Sequence, residues 1–338
     1  MKAVALKRYL PIADPEALLD VELPDPRPEG HDLLVRVHAV SVNPVDTKVR
    51  APKDKTESPP RVLGWDAAGV VEAVGPDVTL FRPGDAIFYA GSITRPGCDS
   101  ELHLVDERIV GRKPRSLDFA QAAAMPLTAL TAHEALFDRM SIDLGGRHKG
   151  RSLLIINGAG GVGSIAIQLA KLAGLHVIAT ASRPESQAWC RTMGADHVIN
   201  HREDLAQQLR TVGSPEVDYI FNTVNTGAYW TVMGDVIKPF GRMASIVETK
   251  EPVDLGRLMR KSVSFSWELM FTRAIFQTQD MLEQHRILTQ VSELLDAGRL
   301  RTTLTEKLSP ISAATLRAAH AKLESGTMVG KLALEGWG

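Results

Sequence analysis

The sequence has little cysteine, and this scarcity narrows the possible sites. Its only two cysteines, Cys98 and Cys190, lie far apart and in different kinds of segment. Neither a disulfide framework nor a multi-cysteine metal cage can be built from two such residues. The expected compartment is therefore the reducing cytoplasm.

Long apolar runs are also missing. No stretch reaches the roughly 20 apolar residues that span a bilayer. The first twenty residues do not combine an apolar core with a small-residue cleavage site, as a signal peptide does. We therefore expect neither a membrane segment nor an export signal.

Charge of one sign is not in excess, since 39 basic residues face 40 acidic ones and the net charge is -1. A nucleic-acid-binding protein usually has a strong basic surface, so no nucleic-acid partner is expected. Small neutral or weakly charged substrates are favoured. A length of 338 residues exceeds one ordinary core and predicts two domains.

Residues 1–110 contain short apolar stretches of alternating character, such as 33–40 and 68–74, separated by segments rich in proline and glycine. This pattern predicts a β-rich, barrel-like domain. The charged, proline-containing segment 53–60 is predicted to be a mobile loop.

From about Asp118 the pattern changes to an alanine-rich helix and then to alternating strands and helices. Such alternation predicts right-handed βαβ units and a parallel sheet covered on both faces. The C-terminal part predicts a helix over 280–298, a strand near Thr303, a helix over 312–325 and a last strand over 330–334.

A glycine-rich loop follows the apolar strand Ser152–Ile156 directly, with the sequence NGAGGVG over 157–163, and a helical pattern comes after it. Glycines in this order allow a tight turn and let backbone N–H groups approach a pyrophosphate at the helix N-terminus. The loop predicts a dinucleotide site. The alternative is a simple strand-to-helix turn.

The strand over 176–180 is followed by Ser182 and Arg183, with no acid before Glu185. An acid at this place would bind the ribose of NAD, whereas a hydroxyl and a guanidinium suit a 2′-phosphate. NADPH is therefore favoured over NADH. The alternative is that Arg183 is a solvated surface residue.

Four motifs together resemble the medium-chain dehydrogenase/reductase superfamily: SVNPVDTKVR, GWDAAGVVEAVGPDV, PLTALTAHEAL and NGAGGVGSIAIQLAK. The branch most similar to the chain is that of the quinone oxidoreductases, or ζ-crystallin group, including members labelled zinc-type alcohol dehydrogenase-like. The resemblance implies an α/β fold with an active site in an interdomain cleft. Its domains would be a GroES-like catalytic domain over 1–128, a Rossmann domain over 129–275 and a C-terminal return to the catalytic domain over 276–338.

The resemblance also implies that the zinc ligands of the alcohol dehydrogenases are absent from this sequence. The three catalytic zinc ligands of the alcohol dehydrogenases correspond here to Asn43, Trp65 and Leu127, and Cys98 stands alone where the structural zinc would need four cysteines. Zinc requires nitrogen, sulfur or oxygen donors in a tetrahedral set. The sequence therefore predicts no metal, contrary to the zinc-type label.

Without a Lewis acid, the acceptors that remain feasible are those whose negative charge delocalises to a remote oxygen, namely quinones and α,β-unsaturated carbonyls. The predicted reaction is hydride transfer from NADPH to such a substrate. The rival hypotheses are a zinc-type alcohol dehydrogenase and a non-enzymatic cofactor-binding module.

The resemblance places Asn43 and Asp46 beside the nicotinamide, where Asn43 could donate to a developing oxyanion. A capped turn explains both equally well. Trp65 would fill the space of the lost metal and shape the substrate site, with simple packing as the alternative. Tyr89 could supply a phenol donor or belong to the core.

The predicted cofactor residues are the glycine loop, the strand ends, the start of the domain-crossing helix, the 2′-phosphate group and a lysine on the last strand. They are Thr128, Thr131, Gly158, Ala159, Gly160, Gly161, Val162, Gly163, Ser182, Arg183, His201, Asn222, Thr223, Val224, Ser245, Ile246, Val247 and Lys331. Bulky residues over 265–273 match the strand that pairs two subunits in relatives, which predicts a homodimer; a buried core strand is the alternative.

Overall fold

The computed structural model describes all residues, Met1–Gly338. Contacts divide the chain into two compact units: Met1–Leu130 with Phe271–Gly338, and Thr131–Met270. The strands are β1 Lys2–Tyr9, β2 Leu19–Glu22, β3 Asp32–Ser41, β4 Lys53–Val62, β5 Ala67–Val74, β6 Ala86–Tyr89, β7 Leu102–Asp106, β8 Val110–Arg112, β9 Ser152–Ile156, β10 His176–Thr180, β11 His197–Ile199, β12 Val217–Asn222, β13 Ile237–Ser245, β14 Ser264–Trp267, β15 Leu304–Leu308 and β16 Lys331–Glu335.

The α-helices are α1 Pro44–Arg50, α2 Phe119–Ala123, α3 Pro126–His133, α4 Gly161–Leu172, α5 Pro184–Thr192, α6 Leu205–Thr211, α7 Thr226–Val236, α8 Gly256–Met259, α9 Thr272–Phe276, α10 Glu283–Asp296 and α11 Ala313–Glu324. A 3₁₀ turn covers Glu107–Ile109, and one π-helical segment, Glu134–Arg139, continues α3. None of the helices combines the length and the apolar character that a membrane span requires.

The first unit contains two sheets. One has three strands in the order β2-β1-β4, and the other has seven, in the order β15-β16-β3-β5-β6-β8 with β7 also paired to β3. The last strand, β16, pairs antiparallel with the end of β3, where Ala333 faces Ser41. The C-terminal part of the chain therefore lies beside the segment that leads into α1.

The prediction of a loop over 53–60 is wrong, because these residues belong to β4 and pair antiparallel with β1. The pairing shifts register between Leu6 and Arg8, whose partners are Arg61 and Thr56. The four residues between those partners include Pro59 and Pro60, which have no N–H to give to a ladder. Charged side chains on this strand are typical of a sheet edge.

The second unit has a six-stranded sheet in the order β11-β10-β9-β12-β13-β14, and every pairing in it is parallel. This is the strand order of a doubly wound dinucleotide fold. The sequence-based fold class is confirmed. The central strand β9 is buried at all five residues, which explains its uninterrupted apolar sequence. The carboxyl ends of β9, β10, β12 and β13 share one edge.

Candidate active site

In the first unit, the candidate site is built around the start of α1. β3 ends at Ser41, Asn43 is the N-cap and Pro44 is the first residue of the helix. Proline is favourable there because the N–H that it lacks would have no partner within the helix. The Asp46 carboxylate turns back and accepts from the Asn43 backbone N–H at 2.5 Å. Both side chains are buried, so the predicted turn lies inside the unit rather than on its surface.

A buried ion pair lies against this turn. The Lys331 ammonium donates to the Val42 carbonyl at 2.8 Å, the Asn43 side-chain oxygen at 2.5 Å and the Asp66 carboxylate at 2.9 Å. The three acceptors match the three N–H groups of an ammonium. The second oxygen of Asp66 accepts from the Leu127 backbone N–H at 2.7 Å. Lys331, predicted to lie near the cofactor, is therefore bound within the group of catalytic candidates.

The side-chain amide of Asn43 is fully engaged with the protein. Its nitrogen lies 2.9 Å from Asp66 Oδ2 and 3.3 Å from the carbonyls of both Ser41 and Trp65. Its oxygen accepts from Lys331. Donation to a substrate oxygen would thus require the amide to give up one of these contacts, and the predicted oxyanion role stays a prediction.

Burial changes the protonation of the two carboxyls differently. Burial raises the pKa of Asp46 to about 7, against the lowering effect of the Asn43 N–H and of Lys331. One oxygen of Asp46, Oδ1, is buried with no hydrogen-bond partner. Burial also raises the pKa of Asp66, but Lys331, Asn43 and the Leu127 N–H oppose it. Asp66 therefore accepts more hydrogen bonds from the protein than Asp46 does.

Trp65 and Tyr89 are both buried and hydrogen-bonded. The Trp65 indole N–H donates to the Ser92 carbonyl at 3.2 Å, and its ring packs edge-on against Phe271. The Tyr89 hydroxyl lies 3.0 Å from His103 Nδ1, and the other ring nitrogen of His103 lies 3.0 Å from a carbonyl.

Burial lowers the pKa of His103 to about 4, so the ring is neutral at pH 7. Its Nε2–H therefore donates to the Pro96 carbonyl, and Nδ1 accepts from Tyr89. Burial and the nearby Cys98 raise the pKa of Tyr89 well above its ordinary value. The Tyr89 hydroxyl therefore stays protonated and donates its hydrogen bond to His103.

In the second unit, the glycine loop joins β9 to α4. A Cβ on Gly163 would lie 2.5 Å from the Asn157 carbonyl oxygen, and one on Gly158 would lie 2.7 Å from the Ala179 side chain. Only glycine fits at these two places. Gly160, the N-cap of α4, has a negative φ. A Cβ on this residue would lie 3.3 Å from the Asn157 side-chain nitrogen, the nearest atom. No side chain caps this helix, so its first N–H groups remain for a ligand.

The end of β10 adjoins the loop. The Thr180 hydroxyl accepts from the Asn157 N–H at 2.9 Å and lies 3.3 Å from His201 Nδ1. Arg183 is the N-cap of α5, with its Nε 3.2 Å from Glu185, and its side chain is about one-third exposed. Ser182 is half-buried beside it. Burial and Arg202 lower the pKa of His201, which makes it a neutral group near pH 7.

The ends of β12 and β13 are joined by a polar network. The Asn222 amide nitrogen donates to the Val224 carbonyl at 2.7 Å and lies 3.2 Å from the Ser245 hydroxyl. The Thr223 hydroxyl donates to the Ile156 carbonyl at 2.9 Å, just before the glycine loop. The backbone of 245–247 is held in the same way, with the Ile246 N–H donating to Asn222 and the Val247 carbonyl accepting from Thr226.

Thr128 and Thr131 lie on α3 and are buried. The Thr128 hydroxyl donates to the Met125 carbonyl at 3.1 Å. Thr128 belongs to the first unit and Thr131 to the second, so the chain passes from one unit to the other within this helix.

Known proteins resemble the chain along its whole length. Residues 161–284 match the family described as zinc-binding dehydrogenase, and 29–115 match the alcohol dehydrogenase GroES-like domain. A zinc-type alcohol dehydrogenase-like protein of Staphylococcus aureus is 45% identical over 99% of both chains. The chain belongs to the medium-chain dehydrogenase/reductase superfamily.

Solved structures of this superfamily agree. A candidate zinc-dependent alcohol dehydrogenase from Rhizobium etli is 54% identical, with a TM-score of 0.95 over 100% of this chain and 98% of that one. The Escherichia coli quinone oxidoreductase, solved with NADPH, is 26% identical, with a TM-score of 0.84 over 99% of this chain and 100% of that one. The chain is thus an oxidoreductase of the medium-chain superfamily, with quinone oxidoreductases among its structural neighbours.

The zinc in these names does not fit the residues present. Two of the three residues that the resemblance matches to zinc ligands donate to a carboxylate instead: the Asn43 amide and the Leu127 backbone N–H both bind Asp66. An indole and a leucine side chain have no lone pair for a metal, and the Asn43 oxygen already accepts from an ammonium. No group of three or more His, Cys, Asp or Glu side chains could hold a metal ion.

Asp66 was missed as a site residue by sequence reasoning, which looked only at its neighbour Trp65. A signal was available, because Asp66 interrupts the apolar sequence LGWDAAGVV and Lys331 interrupts GKLALE. A charge inside a buried strand pattern nearly always has a partner. Two such residues of opposite sign predict an ion pair.

Proposed function

We propose that this protein reduces quinones or α,β-unsaturated carbonyls by hydride transfer from NADPH, without zinc. The observation that carries the proposal is the Lys331–Asp66 pair. The Lys331 ammonium also lies 2.5 Å from the side-chain oxygen of Asn43, the residue that the resemblance matches to the first zinc ligand of zinc-dependent relatives. A site arranged in this way favours acceptors that need no strong Lewis acid.

The glycine loop supports the cofactor part of the proposal. Gly158 and Gly163 make close contacts with the rest of the protein that a Cβ would prevent. A Cβ on Gly160 would meet only the movable side chain of Asn157, at 3.3 Å, so this glycine is explained better by an approaching pyrophosphate. The uncapped N-terminus of α4 would hold the phosphates. A bound NADPH would supply the hydride, and the protein would align the acceptor carbon and exclude water.

Arg183 and Ser182 support NADPH over NADH. The guanidinium is held at the N-terminus of α5 beside Glu185, and a 2′-phosphate would compete with that carboxylate for it. Replacing Arg183 with alanine should weaken NADPH binding at least about tenfold and NADH binding little, since one charged hydrogen bond contributes roughly 1.5–3 kcal/mol. Equal losses for both cofactors would contradict this account. Arg191→Ala, later on the same helix, is the matched control.

The deciding experiment is steady-state oxidation of NADPH with a panel of quinones, enones and enals, run beside elemental analysis of the purified protein. Turnover without stoichiometric metal is the expected result. Zinc at one equivalent, with alcohol oxidation, would favour the zinc-type dehydrogenase suggested by the relatives' names. Tight NADPH binding with no turnover of any member would favour a cofactor-binding module.

We further propose a homodimer formed through β14. This strand pairs only with β13 and leaves its other edge open, and Trp267 and Leu269 beside that edge are 49% and 52% exposed. An open edge with bulky apolar residues is a favourable surface for a second copy. Light scattering should give twice the chain mass for the native protein and a monomer for Trp267→Glu. A native monomer would overturn the proposal.

A further inference from the structure

The first residue of the glycine loop, Asn157, is the one member of the loop with a polar side chain. It follows β9 directly and has a φ of +65°, in the left-handed region that residues other than glycine rarely adopt. Asparagine tolerates this region better than most side chains do, but glycine enters it without strain. Because glycine would serve the backbone at least as well, the side chain of Asn157 needs an explanation of its own.

The backbone of Asn157 is held from both neighbouring strands. Its N–H donates to the Thr180 hydroxyl at the end of β10, at 2.9 Å. Its carbonyl oxygen lies 3.4 Å from the Thr223 hydroxyl, which follows β12 and donates to the Ile156 carbonyl at 2.9 Å. β10 and β12 are the two neighbours of β9 in the sheet. The direction in which the side chain leaves the backbone is thus fixed by the sheet.

The side chain of Asn157 reaches across the loop to Gly160. Outside the helix and the adjoining residues, the only atoms within 4 Å of a Cβ on Gly160 would belong to Asn157. They are its side-chain nitrogen, at 3.3 Å, and its carbonyl oxygen, at 3.9 Å. Gly160 is the N-cap of α4, where no side chain satisfies the first N–H groups. The amide therefore lies beside the space that a pyrophosphate at this helix end would occupy.

The Asn157 amide has no partner within the protein. The hydrogen bonds of this residue involve its backbone alone, and the side chain is half-buried. The hydroxyl of Ser164, on the first turn of α4, is in contrast fully engaged: it donates to the Gly160 carbonyl and accepts from the Trp189 indole, both at 2.7 Å. A primary amide has two N–H donors, and both remain for a ligand in Asn157.

The loop contains no charged side chain, so neutral donors have to bind the phosphates. None of the residues 157–163 is ionisable. The charge of a pyrophosphate would be met by backbone N–H groups and by the partial positive charge of the helix N-terminus. An amide N–H adds one more donor, and a hydrogen bond to an ionised oxygen is stronger than one between neutral groups.

We infer that the side-chain amide of Asn157 donates to the pyrophosphate of the bound dinucleotide, in addition to the backbone N–H groups of the loop. The inference rests on the proposed function for the presence of a dinucleotide, but not for the choice of NADPH or of the acceptor. NADPH and NADH share the pyrophosphate, so Asn157 should contribute equally to the binding of both. Arg183 should contribute to NADPH alone.

Three substitutions separate the amide from the backbone conformation. Asn157→Gly removes the amide and leaves the left-handed backbone without strain. Asn157→Ala removes the amide and adds strain, because alanine is unfavourable at a positive φ. Asn157→Asp keeps the shape and replaces the two N–H donors with a carboxylate oxygen, which only accepts. Fluorescence titration with NADPH and with NADH measures binding, and thermal unfolding measures stability.

The three variants should differ in a defined order. Asn157→Gly should weaken NADPH and NADH by the same factor, about tenfold, because one hydrogen bond to a charged group is lost. Asn157→Ala should lose at least as much affinity and should also unfold at a lower temperature than Asn157→Gly. Asn157→Asp should weaken both dinucleotides most, by about a hundredfold, because its carboxylate would face the pyrophosphate.

Adenosine 2′-monophosphate is the control ligand, since it has the 2′-phosphate of NADPH but no pyrophosphate. Calorimetric titration should give the same affinity for this ligand in Asn157→Gly and in the native protein. A variant that loses this ligand to the same extent as NADPH has a disturbed cofactor site, which would assign Asn157 a structural role and overturn the inference.

The outcomes distinguish the inference from the proposed function. If Asn157→Gly binds both dinucleotides like the native protein and only Asn157→Ala is impaired, Asn157 serves the backbone conformation and the inference is wrong. Losses as expected in a protein that reduces no quinone, enone or enal would support the inference and refute the proposed reaction. A native protein that binds neither NADPH nor NADH would refute both.

Discussion

The glycine loop and the buried polar cluster differ in the groups that they present: mainly backbone groups in the loop and side chains in the cluster. The loop acts through the backbone: its N–H groups, helix end and missing side chains belong to one continuous stretch of seven residues. The cluster acts mainly through side chains, and its members come from four separate parts of the chain: residues 43–46, Asp66, the backbone of Leu127 and Lys331. The loop carries no charge of its own, whereas the cluster has an excess of acid.

This difference teaches where each region is vulnerable. A backbone site is damaged by adding atoms, because close approach is its function. A cluster of buried charges is damaged by removing one partner, because the other is then left without compensation. The predictions below test this contrast, from the largest expected effect to the smallest.

Lys331→Met should have the largest effect. It leaves Asp66 ionised and buried without its cation, and breaking such a pair typically destabilises a protein by about 3–5 kcal/mol. Urea unfolding would measure the change. Lys307→Met, which removes a solvent-accessible pair with Glu335, should change the free energy of unfolding far less, because water and salt screen such a pair. If the two variants are equally stable, the cluster is not held by Lys331.

Asp46→Asn should alter the pH dependence of stability. A carboxyl whose pKa is raised to about 7 holds a proton in the folded state that it loses in the unfolded state above about 4. The free energy of unfolding therefore falls as the pH rises between these values, by up to about 4 kcal/mol. The variant lacks this fall, so its stability relative to the native protein should improve from pH 5 to pH 8. A pH-independent difference would contradict the assignment.

Alanine substitutions in the loop should separate folding from binding. Gly163→Ala places a Cβ 2.5 Å from the Asn157 carbonyl and should cost about 1–3 kcal/mol of stability as well as NADPH affinity. Gly160→Ala brings a Cβ to 3.3 Å from the Asn157 side-chain nitrogen, a tight contact that a small movement of that side chain relieves. This variant should therefore lose little stability, yet weaken NADPH binding because the pyrophosphate needs that space. Thermal unfolding and fluorescence titration would distinguish them. Normal NADPH binding by Gly160→Ala would remove the pyrophosphate from this position.

Tyr89→Phe should have the smallest effect, a loss of about 1–2 kcal/mol from the missing hydrogen bond to His103. Because the hydroxyl is committed to His103, kcat/KM should change less than about threefold. A tenfold loss of turnover at unchanged stability would instead place the phenol on the substrate and restore its predicted role as a donor.

The contrast between a continuous loop and a cluster assembled from separate segments also explains which features the sequence could predict. The glycine loop, the parallel sheet and the end of β10 are local patterns, and they were found where expected. Asp66 becomes important only through its contacts with Asn43, Leu127 and Lys331, which are distant in the chain and follow no spacing rule. Lys331 was singled out by resemblance, but its partner was not.

The error over 53–60 has a related cause. Charge and proline predict a loop when the strand is read alone, and only the pairing with β1 shows that the prolines fall opposite a register shift. The helix start at Asn43, one of the two alternatives that the sequence leaves open, is present in the structure. The contact of its side chain with Lys331 depends on the return of the C-terminal strand, 288 residues later.

The two cysteines give the protein a built-in reporter. Each unit contains one, Cys98 in the first and Cys190 in the second, and both thiols are buried and unpaired. Cys190 lies beneath the glycine loop, close to Gly158. A thiol reagent can therefore reach either sulfur only when its own unit opens, and the two labelling rates measure the opening of the two units independently, with no residue added.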